Sequence, residues 1–234
     1  MAIAKYSLHR GDIGELSNRF PVFDQLKDAD CFGWHKWVDQ TTKSAYLERM
    51  ALFVGKSGYG KSTTVNALIG KYILETSDLA ACTRECQCLD FHIGNNRWLS
   101  LGDLPGIGES AERDQEYFKL YADFFEHASV IVHVLRADTR DYTVDEQATN
   151  QLLQSPQLRR KVIYALGQCD KVAPITRGHH RTPSAEQLFN IDLKLREVAK
   201  VFSPHNPVVP YSAETGWGMT ELSNQIVRVA LGEY

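Results

Sequence analysis

The octapeptide Gly55-Lys56-Ser57-Gly58-Tyr59-Gly60-Lys61-Ser62 constrains this chain more than any other stretch. It has the form G-x-x-x-x-G-K-S, follows the apolar run Met50–Val54 and opens into Thr63-Thr64-Val65-Asn66-Ala67-Leu68-Ile69. A buried strand, a glycine-rich loop and a helix in that order make a phosphate-binding unit. Glycines let the backbone curl so that successive N–H groups point inward at phosphate oxygens. The helix adds its unpaired N–H groups and the positive end of its dipole. In such a loop Lys61 reaches the β and γ phosphates, the Ser62 hydroxyl ligates Mg2+, and the residues from Gly55 to Thr63 surround the phosphates.

From residue 50 onward strand and helix alternate, which implies an α/β fold with a mostly parallel sheet and helices on both faces. The spacing predicts strands near 50–55, 87–93, 97–102, 129–135, 161–166 and 207–210, with a hairpin turn at Gly94-Asn95-Asn96. Helices are expected at 61–70, 113–127, from Thr143 to before Pro156, from Ser184 to Phe202, and at 219–231. Thr143-Val144-Asp145-Glu146 and Ser184-Ala185-Glu186-Gln187 read as helix caps, the first as a capping box. Residues 1–49 carry mixed charge and no motif. Trp34, Trp37, Val38, Thr41 and Ala45 fall at helical spacing, so 35–47 reads as a helix. The chain is therefore divided into an N-terminal helical extension, 1–49, and a main domain, 50–234.

Other features bound the function. Net charge is −3, so no global attraction to nucleic acid or anionic membrane is expected. No apolar run approaches the ~18 residues that span a bilayer, and Met1–Tyr6 lacks the apolar core of a signal peptide. The cysteines are Cys31, Cys82, Cys86, Cys88 and Cys169; an odd count argues for free thiols in a reducing cytoplasm. The spacing of Cys82, Cys86 and Cys88 is not that of a zinc site. His133 reads as a structural histidine, and Arg177, His179, His180 and Arg181 as a solvated loop. Tyr59 is free to stack on a ribose, to shield phosphates or to face solvent.

Further elements narrow the phosphate ligand to a nucleotide. Asp103-Leu104-Pro105-Gly106 ends a strand; its carboxylate can hold a water on Mg2+, and the Gly106 N–H can meet a γ-phosphate. Thr83, between this element and the phosphate loop, can add a hydroxyl to the metal. Ser62, Thr83 and Asp103 are the expected metal set, and Lys61, Thr83 and Gly106 the groups that act on the γ-phosphate. Asp170, flanked by Gln168 and Lys171, can accept both N1–H and the exocyclic amine of guanine, a donor pair adenine lacks. Ser212-Ala213 follows the last strand, where backbone N–H groups can reach guanine O6. A kinase has no use for that set.

In this order, across 51–219, the motifs resemble those of the Era-like group of translation-factor-related P-loop GTPases. Ala80-Ala81-Cys82-Thr83-Arg84-Glu85, Asp103 to Ser110, Arg136-Ala137-Asp138 and Gln168-Cys169-Asp170-Lys171 are similar to stretches of bacterial ribosome-binding GTPase-like proteins. The resemblance implies a six-stranded sheet with one antiparallel edge strand, binding of GTP and GDP with Mg2+, and slow hydrolysis. It also implies a conformational switch through loops 71–86 and 103–113. As partners it implies a ribosome or RNA, or a protein effector, and GTP-driven dimers of related families extend it to a nucleotide-dependent homodimer. This chain departs from the family pattern at three places. Gly167-Gln168-Cys169-Asp170 replaces Asn-Lys-x-Asp, which implies guanine preference at weaker affinity. Ile107 replaces a water-orienting Gln and cannot hydrogen-bond through its side chain. Gly58 replaces an Asn linked to potassium in some relatives, so no potassium dependence is expected. Two other readings remain open: an assembly protein with negligible hydrolysis, and a P-loop ATPase.

Overall fold

Ten residues, Ala45–Val54, form strand β3, the axis of the sheet. Its alternating side chains feed two separate cores: Ala51 and Phe53 enter one apolar cluster, whereas Met50, Leu52 and Val54 enter the other. A strand buried on both faces is what a parallel sheet between two helical layers requires. The computed structural model describes residues 5–30, 33–38, 43–76, 85–175 and 181–234. Within them the strands are β1 (Tyr6–Asp12), β2 (His35–Val38), β3, β4 (Gln87–Gly94), β5 (Arg97–Asp103), β6 (Val130–Arg136), β7 (Val162–Gly167) and β8 (Val209–Pro210). The order is β1-β4-β5-β3-β6-β7-β8, with β2 paired to β3. β3 runs parallel to β5 and β6, and the ladder continues parallel through β7 and β8.

The helices are α1 (Gly14–Ser17), α2 (Gln25–Asp28), α3 (Lys61–Ile69), α4 (Ala111–Phe125), α5 (Thr143–Leu152), α6 (Pro156–Arg160), α7 (Ala185–Phe202) and α8 (Met219–Ala230). Val65 and Leu68 of α3 share the first core with Leu222 and Ile226 of α8. Tyr121 and Phe124 of α4, Ala148 of α5, and Ile191 and Phe202 of α7 share the second. Ser184 caps α7 as expected, and does so in a capping box with Gln187. The β4–β5 hairpin turns at Asn95 and Asn96, both with positive φ, as expected. Among the described residues no helix is long and apolar enough to cross a membrane.

The structure corrects four expectations. The sheet has eight strands rather than six. The additional pair, β1 and β2, comes from the segment expected to be helical: 35–47 pairs β2 antiparallel with the start of β3. Helices α1 and α2 there span only one turn each. The antiparallel strand β4 is not an edge, because β1 lies parallel beyond it. The capping box at Thr143–Glu146 does not form; the Thr143 amide instead donates to Asp141 Oδ1 at 2.9 Å, two residues earlier.

Phe23, in a 3-10 turn at Pro21–Asp24, is fully buried in the first core with Leu16 and Leu26. Phe23→Ala is expected to lower stability by about 3–5 kcal/mol in urea denaturation. A cost below about 1 kcal/mol would mean that this segment is not part of the core.

Candidate functional site

The phosphate loop begins where β3 stops. Gly55 has φ 135°, and a Cβ there would stand 2.4 Å from the Val134 carbonyl oxygen on the adjacent β6, so only glycine fits. The chain turns through Tyr59 N to Lys56 O (3.3 Å) and enters α3 behind Gly60. The first intrahelical bond here runs from Thr64 N to Gly60 O at 2.9 Å, which leaves the amides of Lys61, Ser62 and Thr63 ahead of the ladder. Such a row of amides at a helix start attracts anions.

Lys61 projects into this concavity with 7% of its surface exposed. Among the described residues its ammonium donates to the Lys56 carbonyl oxygen at 3.1 Å and makes no ion pair. Burial pushes its pKa below the ordinary lysine value, against the opposing pull of the Asp103, Asp145 and Glu109 carboxylates. A buried cation whose charge burial disfavours is a group that a bound anion would stabilise.

Ser62 Oγ donates to Asp103 Oδ2 at 2.6 Å, and Asp103, the last residue of β5, is fully buried. Two of the three expected metal residues therefore meet. The third, Thr83, lies outside the described residues, as do Arg84, Cys31, Cys82, Arg177, His179 and His180. A hydroxyl and a carboxylate beside a row of amides form a hard-oxygen set of the kind Mg2+ takes together with phosphate oxygens, so the residues fit that ion.

Gly106 lies against the phosphate loop. A Cβ there would be 2.5 Å from Ser57 Cα and 2.9 Å from Lys61 Nζ. The next residue, Ile107, is held at both backbone groups: its carbonyl accepts from Ser57 N at 2.8 Å, and its amide donates to Gly55 O at 3.3 Å. Its side chain is 1% exposed and belongs to the second core. Tyr121 of α4 anchors this loop by donating to the Pro105 carbonyl at 2.5 Å. A contact that the motif spacing did not indicate joins Ser57 Oγ to Glu109 Oε1 at 3.2 Å, while Arg113 holds the other carboxylate oxygen at 2.8 Å.

Across the loop from this phosphate side stands the second part of the site. Gln168 sits at φ 59° between β7 and a 3-10 turn at Cys169–Lys171. Its Nε2 donates to the Tyr59 carbonyl at 3.3 Å, and its Oε1 accepts from Lys171 Nζ at 2.9 Å. Asp170 Oδ1 accepts from Ser212 Oγ at 2.6 Å, and the Cys169 amide donates to Tyr211 O at 3.1 Å. The Ser212 amide, one of the two expected to reach a base, is instead taken by Trp217 O at 2.8 Å. Asp170, Ser212 and the phosphate loop are thus one assembly at the ends of β3, β5, β7 and β8.

Tyr59 does not face solvent: it is 5% exposed and packs in the first core, where burial pushes its phenol up to about 12. His133 is structural as expected, buried and 3.1 Å from Asp145 Oδ1. Cys86, Cys88 and Cys169 are buried free thiols, and the Sγ atoms of Cys86 and Cys88 stand 3.6 Å apart.

Residues 50–167 match the family described as 50S ribosome-binding GTPase. YkfA of Escherichia coli K12 is 33% identical over 202 residues, covering 86% of this chain and 69% of YkfA. Among solved structures, Era of Aquifex aeolicus bound to GDP·AlF4− superposes with a TM-score of 0.62 at 25% identity. That match covers 78% of this chain but only 56% of the Era chain. Era in complex with MgGDPNP and nucleotides 1506–1542 of 16S ribosomal RNA matches with the same TM-score and identity. Toc33 of Arabidopsis thaliana, in complex with Mg2+ and GMPPNP, shares the fold: TM-score 0.66 at 18% identity, over 94% of this chain and 92% of Toc33.

Proposed function

The chain belongs to the 50S ribosome-binding GTPase family, and on that premise we propose that it binds GTP and GDP with Mg2+, hydrolyses GTP slowly and acts as a conformational switch. The observation that carries this reading is the bond from Gln168 to the Tyr59 carbonyl. It draws the Asp170–Ser212 pair alongside the phosphate loop, so that one ligand carrying both a base and phosphates can span the two.

Each residue then has a part. Lys61 and the amides from Gly55 to Thr63 neutralise the β and γ oxygens. Ser62 and Asp103, with Thr83, would hold Mg2+, which when bound supplies further positive charge at those oxygens. Asp170 accepts the guanine N1–H and exocyclic amine, and the Ala213 amide serves O6. Gln168 and Lys171 hold the loop that presents Asp170. In hydrolysis water attacks the γ-phosphorus, the bond to the bridging oxygen breaks, and GDP and phosphate leave. The Ile107 side chain is committed to the core, so this position orients no water; that supports a low rate. Loss of the γ-phosphate removes the partner of the Gly106 amide and loosens loop 103–113, and loop 71–86 responds with it. The nucleotide-binding unit is 50–234, to which 1–49 adds β1 and β2. The buried free thiols support a reducing cytoplasm as its place of action.

Ile107 also favours a second reading, an assembly protein that dimerises on GTP and scarcely turns over. Relatives support an RNA or ribosomal partner, as Era binds 16S ribosomal RNA in a solved complex. The deciding measurement is titration with fluorescent GDP, GTP and ADP, with and without Mg2+, followed by single-turnover hydrolysis and light scattering. GDP and GTP are expected to bind at least about 100-fold more tightly than ADP. GTP is expected to turn over at about 10⁻⁴–10⁻² s⁻¹. ADP binding without GDP binding overturns the proposal; GTP-dependent scattering without turnover selects the assembly reading.

A further inference from the structure

The base side of the site has a gap that another residue fills. Gly167, at the end of β7 and just before Gln168, has no side chain with which to reach the phosphate loop. The space above it belongs to Tyr211: a Cβ at 167 would stand 2.8 Å from Tyr211 Oη and 2.9 Å from its Cζ. Tyr211 is 1% exposed, and its backbone is fixed at both ends, N to Leu166 O at 2.9 Å and O from Cys169 N at 3.1 Å. Its phenol lies against Thr64 Oγ1 at 2.7 Å. Thr64 has one hydroxyl proton, and it goes to the Gly60 carbonyl at 2.7 Å. Tyr211 must therefore be the donor to Thr64.

A chain of two hydrogen bonds results, from Tyr211 to Thr64 to Gly60 and so to the phosphate loop. Tyr211 directly precedes Ser212, which grips Asp170 at 2.6 Å. Two ties therefore hold the Asp170 loop in register with the phosphate loop: Gln168 to Tyr59, which is partly exposed, and Tyr211 to Thr64, which is buried. We infer that Tyr211 is a positioning residue for base recognition, its phenol occupying the place a side chain at 167 would take and setting the distance between Asp170 and the phosphate loop. This rests on the guanine reading above.

The test uses the full chain and measures GDP, IDP and ADP affinities for the unaltered protein, Tyr211→Phe, Thr64→Val and the double variant. Phenylalanine keeps the ring and removes only Oη; valine keeps the shape of threonine and removes the acceptor. IDP lacks the exocyclic amine, so the ratio of GDP to IDP affinity reports the grip of Asp170. Each single variant is expected to weaken GDP about five- to tenfold, the scale of one buried hydrogen bond, and to shrink the GDP-to-IDP ratio about threefold. The double variant is expected to be no worse than Thr64→Val alone, because that substitution already deletes the Tyr211–Thr64 bond together with the one to Gly60. Thermal melting without nucleotide checks that each variant is folded; should one not fold, the other still decides. Affinities within twofold of the unaltered protein, equal losses for GDP and IDP, or losses that multiply in the double variant overturn the inference. A parent protein that fails to prefer GDP over ADP overturns the guanine reading itself, and with it this one.

Discussion

Lys61→Ala is expected to weaken GTP binding by about 100- to 1,000-fold in titration with fluorescent nucleotide, since it removes a charge-assisted contact to the β and γ phosphates from a buried site. The opposite sign is expected for the protein alone. Burial holds the Lys61 pKa below its value in the unfolded chain, so the charged ammonium opposes folding in the absence of an anion. The melting temperature of the variant without nucleotide should therefore be equal to or above that of the parent, whereas the rise on adding GTP should vanish. The same shift sets a pH dependence. Phosphate binding favours the protonated amine, so affinity is full below the lowered pKa of the free protein and falls as pH rises through it. The alanine variant lacks that slope. An affinity within threefold of the parent would remove Lys61 from the site.

The part of the site legible in the sequence is the part written in local backbone chemistry. Gly55, Gly60 and Gly106 are positions where the backbone passes within a side chain's reach of another segment, and such positions leave glycines at fixed spacing. Strands β3, β6 and β7 are buried on both faces and appear as unbroken apolar runs, so their order and the residues at their ends could be read directly. The Asn95–Asn96 turn was legible for the same reason.

The N-terminal strands were hidden because their pattern is inverted. In β1 the half-buried positions are Ser7, His9 and Gly11, while Tyr6 and Leu8 point outward. Ser7 donates to Asp90, 83 residues away, at 2.7 Å, and His9 meets Glu15, beyond the end of the strand, at 3.2 Å, so the inward face is polar and satisfied by partners outside β1. No local periodicity encodes that. In β2 the aromatic positions fit a helical spacing as well as an alternating one, and pairing with Ala45–Glu48 of β3 decided between them. Family resemblance fixed the strand count at six for the same reason: it spoke for 51–219, where the chain does carry six. Contacts such as Ser57–Glu109 and Tyr211–Thr64 join segments that only the fold brings together, and a single sequence has no signal for them.

Asp170→Asn is expected to invert base preference, and donor and acceptor chemistry gives the size. Guanine offers two donors, N1–H and the exocyclic amine, and a carboxylate accepts both. With Ser212 bonded to Oδ1, the aspartate still has lone pairs for the two of them. Asparagine keeps one acceptor and turns the other atom into a donor, which then faces the guanine amine. Two opposed donors in a half-buried site leave both unsatisfied, a loss of about 100-fold or more in GDP affinity. Xanthine differs from guanine by a carbonyl at that position, and it pairs with the asparagine amide as guanine does with the carboxylate. Xanthosine diphosphate is therefore expected to gain about 100-fold and become the preferred ligand, while ADP, which lacks N1–H, remains weak. Competition of GDP, xanthosine diphosphate and ADP against a fluorescent diphosphate measures all three at once. Binding of GDP unchanged by the substitution would show that the base is read elsewhere, whereas equal loss of every diphosphate would make Asp170 a support of the fold instead of its reader. Only the crossing of the two purine affinities is specific to a carboxylate that touches the base edge, because no change in loop stability can make xanthine better than guanine.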